Sequence, residues 1–173
     1  MKHAKRIVIC MVVLLAACGA QNASTTGVVL VSEQRLQQLL PATDFIDGEN
    51  VPTQQRNAAL VQLPNGKILL ASLIDTAGYS SAYQEKYAGV LLSQSRFTLG
   101  NKNLDAGAYA IGQKKNGDSV TVYVYNLGGE KLAELPTEKQ ENLRPVKPLQ
   151  VISAADGSAR LYVGPYYLSL AGR

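Results

Sequence analysis

From Ala58 to Leu170 the chain is a succession of short apolar runs that stop at turn residues, and this punctuation constrains the fold more than any other feature. Ala58–Leu63 and Ile68–Asp75 flank Pro64-Asn65-Gly66, where Asn-Gly tolerates the positive φ of a tight hairpin. The same spacing predicts strands over Val90–Leu99, Ala108–Gln113, Ser119–Tyr125, Lys131–Leu135, Leu149–Ser153, Arg160–Val163 and Tyr166–Leu170. In Ser119–Tyr125, Val120, Val122 and Val124 share one face and Thr121, Tyr123 and Tyr125 the other, so one face points inward.

Helical signals are few. Ser32 is placed to cap a helix whose Leu36, Leu39 and Leu40 lie on one side, and Pro41 ends it. Ser81-x-x-Gln84 has the form of a capping box and predicts a helix over Ala82–Ala88, with Gly89 as its C-terminal stop. Thr137-x-x-Gln140 predicts a helical turn over Glu138–Leu143. Repeated hairpins with so few helices indicate a mainly β (or α+β) domain: an antiparallel meander forming a sandwich or barrel-like sheet with two or three short helices.

The N-terminus carries a different signal. Lys2, Lys5 and Arg6 precede eleven apolar residues, Ile7 to Ala17, in the order of an export signal. Eleven residues are too few to span a bilayer, which needs roughly 20. Leu15-Ala16-Ala17-Cys18 resembles the lipobox of bacterial lipoproteins. The resemblance implies cleavage after Ala17 and lipid modification of Cys18, with Gly19 in the next position favouring an outer membrane, facing the periplasm, in a Gram-negative host. Acyl chains bury about 0.8 kcal/mol per methylene, and several together exceed the marginal binding of one chain. The expected organisation is a signal over 1–17, a lipidated cysteine and tether over 18–27, and one β-rich domain over 28–173. The nine small and polar residues from Gly19 to Gly27 span about 15–18 Å as a coil. A second, shorter likeness covers Phe97 to Tyr109, which resembles a strand–turn–strand element of uncharacterised secreted bacterial β domains, with Asp105 where proline is usual.

Processing also changes the charge argument. Without the first 17 residues, 14 basic residues face 13 acidic ones, a balance of +1 that gives no support to nucleic-acid binding. Cys10 and His3 belong to the same segment and Cys18 carries lipid, which leaves no thiol or imidazole for zinc, copper, or Ser-His-Asp or Cys-His catalysis. No phosphate-binding loop or Ser-x-x-Lys dyad occurs, and no cofactor is expected.

Two constellations remain. Tyr79, Tyr83 and Tyr87 recur every four residues, a spacing that suits a strip for stacking on sugar rings or a partner surface. With no Trp and two Phe, tyrosine is also the main large core filler, and Tyr162, Tyr166 and Tyr167 invite the same two readings. Asp44, Asp47 and Glu49, beside Asn50, form the densest acidic cluster, read as a solvated loop because the spacing is not that of a calcium hand. Pro145-x-x-Pro148 reads as a stiff connector. The resulting expectation is a non-enzymatic, lipid-anchored envelope domain that binds another envelope component, protein or glycan, or supports an assembly. The rival is a small envelope-glycan hydrolase using two carboxylates, whose separation and pKa values no sequence pattern supplies.

Overall fold

The structure, a computed structural model, describes residues 27–154 and 156–172. The expected signal over 1–17, Cys18 and the segment up to residue 26 lie outside them. The described chain forms fourteen strands and two helices arranged as two packed antiparallel sheets, a sandwich-like fold with no closed barrel.

The larger sheet contains β1 (Val29–Leu30), β2 (Thr43–Ile46), β3 (Glu49–Gln62), β4 (Ile68–Ile74), β5 (Gly89–Ser93), β8 (Gly107–Asn116), β9 (Ser119–Asn126) and β10 (Lys131–Pro136). Their order is β1-β3-β4-β5-β8-β9-β10, with β2 pairing the first part of β3. The smaller sheet has the order β12 (Leu149–Ser153), β13 (Ala159–Val163), β14 (Tyr166–Gly172), β6 (Phe97–Leu99) and β7 (Lys102–Leu104), with β11 (Glu138–Lys139) on β14.

Between the sheets lies the main core. Leu63, Leu69, Leu91, Val122 and Val124 from the larger sheet meet Phe97, Leu99, Leu161 and Leu170 from the smaller one, and each is at most 2% exposed. The valine face of β9 therefore points inward, as its alternation predicts. The outer face of the larger sheet is covered in two places. Helix α1 (Glu33–Leu39) lays Leu36 and the following Leu40 on Leu60 and Leu70. Helix α2 (Ser81–Lys86) and the β2–β3 hairpin close over Ile74, Val90 and Ala110. Covering on both faces explains why β4 reads as the nearly unbroken run Ile-Leu-Leu-Ala-Ser-Leu-Ile. Its one polar member, Ser72, is fully buried and donates its hydroxyl to the Leu73 carbonyl at 2.7 Å.

Four local expectations are corrected. Val90–Leu99 is two strands: the run breaks at Gln94–Arg96, where the Ser93 hydroxyl donates to the Ser95 carbonyl, and the chain passes from the larger sheet to the smaller. The acidic stretch is a β-hairpin, turned at Asp47 and Gly48 with φ of 51° and 87°. Two consecutive positive φ values suit Asp-Gly and match the right-handed twist of the strands it joins. Helix α2 is capped by Ser80, whose Oγ accepts from Tyr83 N, and Gly89 belongs to β5. No helix forms over Glu138–Leu143, because Thr137 donates its hydroxyl to the Val120 carbonyl and Gln140 accepts from Arg160. The capping-box side chains are thus used in tertiary contacts.

Phe97 stands where the chain enters the second sheet and is completely buried, whereas Phe45 on β2 is 63% exposed. Phe97→Ala is expected to cost about 3–5 kcal/mol through lost burial and the cavity left behind. Phe45→Ala should change stability by less than about 0.5 kcal/mol. Urea unfolding of both variants measures the contrast, and equal costs would contradict this division between core and surface.

Candidate functional site

The tyrosine strip forms a stack, and α2 alone does not carry it. Tyr79 precedes the helix, Tyr83 lies within it and Tyr87 is its C-cap. Ring centroids are 5.1 Å apart for Tyr79 and Tyr83 and 4.8 Å for Tyr83 and Tyr87, and Tyr87 then meets Tyr125 edge-on at 5.5 Å. Each hydroxyl reaches the β2–β3 hairpin. Tyr79 donates to the Asn50 carbonyl at 2.8 Å, Tyr83 to the Ile46 carbonyl at 3.0 Å and Tyr87 to Asp47 Oδ2 at 2.8 Å. Tyr87 is buried, and Tyr79 and Tyr83 are half-buried. The strip thus binds the hairpin to the larger sheet. Tyr162 is also buried, its ring tilted by 42° against that of Tyr167 at 5.3 Å.

Asp47 is the junction of this corner. Its carboxylate accepts from Tyr87 and, at 3.2 Å, from the Lys86 ammonium, while its backbone N–H donates to the Leu127 carbonyl at 2.8 Å. Those hydrogen bonds, from Tyr87 first and then Lys86, hold its carboxyl below the ordinary aspartate range. Gly129 in the β9–β10 turn, with φ of 83°, lies directly beneath: a Cβ there would stand 2.7 Å from the Tyr87 hydroxyl. Burial raises the Tyr83 hydroxyl to about 12, with Tyr87, Tyr79 and nearby carboxylates adding to it. Because the Lys86–Asp47 pair is over a third exposed on both sides, solvent screens it strongly. Burial of Tyr87 and Ile46, at about 1.5–3 kcal/mol per large side chain, dominates.

Beside this latch the outer face of the larger sheet stays open. Gly112 on β8 lets the end of α2 sit against the strand, since a Cβ there would run into the Lys86 carbonyl oxygen. Past that contact the covering layer stops, leaving a groove of about 710 Å³ lined by Ala82, Glu85 and Lys86 of α2, Gln113–Lys115 of β8, and Tyr123 and Tyr125 of β9. The Lys86 ammonium lies 5.5 Å from the Tyr125 ring centre, and that of Lys131 lies 5.5 Å from the Tyr123 ring centre. A second, apolar opening of about 450 Å³ lies nearby, where Leu73, Val120, Val163 and Tyr166 line the gap and Lys115 stands at the lip of both.

Sequence reasoning singled out the strip but not the groove. Tyr123 and Tyr125 were legible as the outer face of a strand, while Lys114-Lys115 carries no motif, and its position beside α2 comes from pairing of β5 with β8. Among the described residues no helix is long and apolar enough to cross a membrane, and no group of three His, Cys, Asp or Glu is arranged to hold a metal. Comparisons with protein-family models, curated proteins and solved structures gave no match, so the groove is read from its own chemistry.

Asp44 is the electrostatic exception. One of its carboxylate oxygens is buried without a hydrogen-bond partner, and burial pushes its carboxyl above the usual range. A carboxyl with a higher pKa folded than unfolded binds its proton more tightly in the native state, so its contribution to stability falls as pH rises from about 3.9 through the folded value. Asp44→Asn is expected to remove that slope and to be more stable than wild type above it. The difference between the two unfolding midpoints should grow with pH across this window, and a constant difference would count against a desolvated Asp44.

Proposed function

We propose that this protein is a lipid-anchored domain of the bacterial cell envelope that binds another envelope component without transforming it, using the lysine–tyrosine groove as its contact face. The groove is the observation that carries this reading: ring faces and ammonium groups converge there, and Glu85 is the one carboxylate among its lining residues. Ring faces and fixed charges recognise a ligand, whereas cleavage of a glycosidic bond needs two carboxyl groups across the bond. The hydrolase reading has no such pair to draw on in the groove.

Support for the anchor comes from Leu15-Ala16-Ala17-Cys18 at the end of an export signal. In this reading Cys18 takes the lipid, and Gly19 directs the protein to the outer membrane, facing the periplasm, in a Gram-negative host. The nine residues to Gly27 hold the domain within about 30 Å of the bilayer even when extended. An anchored binder gains effective concentration towards partners in the same layer, so modest affinity suffices.

Two measurements test the proposal. Cys18→Ser is expected to leave an unprocessed precursor that incorporates no labelled palmitate, and normal processing to a soluble protein would contradict the anchor. A photo-cross-linking amino acid placed at Lys114 in cells should capture an envelope component that the same group at exposed Arg56 does not. Identical patterns at both positions would remove the groove as the contact face.

A further inference from the structure

We propose that an extended segment of another protein, with aliphatic side chains at alternate positions, adds to the larger sheet as a strand along the second half of β8. This rests on the groove being the contact face, and it names the partner's chemistry. The chain enters β5 from α2 through Ala88, whose N–H donates to the Ile111 carbonyl at 2.7 Å, and β5 begins at Gly89 opposite Ile111. β8 runs on to Asn116, paired with β9 in unbroken register but with no strand on its other side. Backbone groups of an antiparallel strand face its two neighbours in alternation. Ile111 faces the β5 side, so Gln113 and Lys115 direct their N–H and C=O groups to that same, unpaired side. Gln113 to Asn116 are all exposed. The outer edges of the same sheet make poorer templates: β10 carries a register shift and ends on Pro136, and β1 is two residues long.

An apolar opening beside this edge is the second observation. Gln113 and Lys115 share the inner face of β8 with Ile111, and next to them lies the opening of about 450 Å³ lined by Leu73, Val120, Val163 and Tyr166. Leu73 of β4 pairs with Gly89, the first residue of β5, so no strand closes the opening between β4 and the end of β8. Residues of an added strand opposite Gln113 and Lys115 point into it, where aliphatic side chains cover Leu73, Val163 and Tyr166, each half-buried as it stands. The residue between them lies opposite Lys114 and faces the groove. There Lys114 and Glu85 present opposite charges, so the choice of partner falls on the apolar positions.

Other occupants fit less well. Antiparallel pairing of two copies through Gln113 and Lys115 sets Lys114 opposite Lys114, and like charges directly opposite are destabilising. A lipid fills the opening without meeting the strand's N–H and C=O groups, and a sugar meets them without filling it. An extended peptide does both, with main-chain bonds along the edge and alternate side chains in the opening.

The test is selection from a phage-displayed library of random peptides against the full chain in detergent, followed by titration of synthetic copies of the enriched sequences. Enriched peptides should carry Val, Ile or Leu at alternate positions. Binding should slow hydrogen exchange at the Gln113 and Lys115 amides and leave that of Lys114, which already faces β9, unchanged. Lys115→Pro removes an outward N–H that the β9 ladder does not use and should weaken binding about tenfold, while Lys115→Gln retains it. N-methylation of the peptide at the amides facing β8 should cause the same loss with the protein unaltered, which decides the matter if Lys115→Pro fails to fold. Absence of enriched peptides overturns the proposal, as does binding indifferent to Lys115→Pro and to N-methylation. If strand addition fails while the Lys114 cross-linker still captures an envelope component, the contact face stands. Loss of both removes both.

Discussion

The run Val90–Leu99 belongs to two sheets, and the rest of the fold follows from that. Val90 and Leu91 pair within the larger sheet, and Phe97 and Leu99 within the smaller, so ten consecutive residues hold the two sheets face to face. Apolar burial supplies the driving force, but it is non-directional. The crossing gives it a geometry, because Leu91 and Phe97 enter one core from opposite sides. A single continuous strand here would leave β14 without β6 beside it.

Once the inner face is filled, the outer face of the larger sheet becomes the problem the remaining sequence solves. Central strands β4 and β5 are apolar on both sides and require a cover. Helix α1 supplies one, and the β2–β3 hairpin with α2 another, held by three tyrosine hydroxyls and the Asp47 junction. The cover ends where Gly112 meets the Lys86 carbonyl, and beyond that line β8 and β9 turn lysine and tyrosine outward. The groove is therefore the edge of a packing solution. Its floor is β-sheet, which is more rigid than loops and holds the ring faces in place before any ligand arrives.

Much of the larger architecture was legible because hairpins announce themselves locally. Pro64-Asn65-Gly66, Asn116-Gly117-Asp118 and Asp156-Gly157 all mark turns between paired strands, and the valines of β9 reveal which face is buried. What escaped was decided at long range. Gln94–Arg96 looks no different from a polar stretch of strand, and only the competing partners β8 and β14 show that pairing changes there. Thr137 and Gln140 have the local form of a helix start, yet Val120 and Arg160 offer them other partners. In the acidic residues 44–50 Asp47-Gly48 marks a turn, but the strands beside it are short and polar, and the hydroxyl groups of Tyr79, Tyr83 and Tyr87 that hold them lie outside the hairpin.

The tyrosines illustrate how one residue type takes two roles in a chain without tryptophan. Tyr87 buries its ring and uses its hydroxyl on a carboxylate, whereas Tyr123 keeps a half-open ring on the sheet surface. Spacing alone cannot separate these, since both groups recur at regular intervals along the sequence. The difference lies in what covers each ring: the β2–β3 hairpin, with its acceptors, packs on the Tyr79–Tyr83–Tyr87 group, whereas no such element packs on Tyr123. Where carbonyls meet the hydroxyl, tyrosine behaves as core with a polar tip. Where no layer packs over the sheet, the ring stays partly exposed, and the same side chain is open to a ligand.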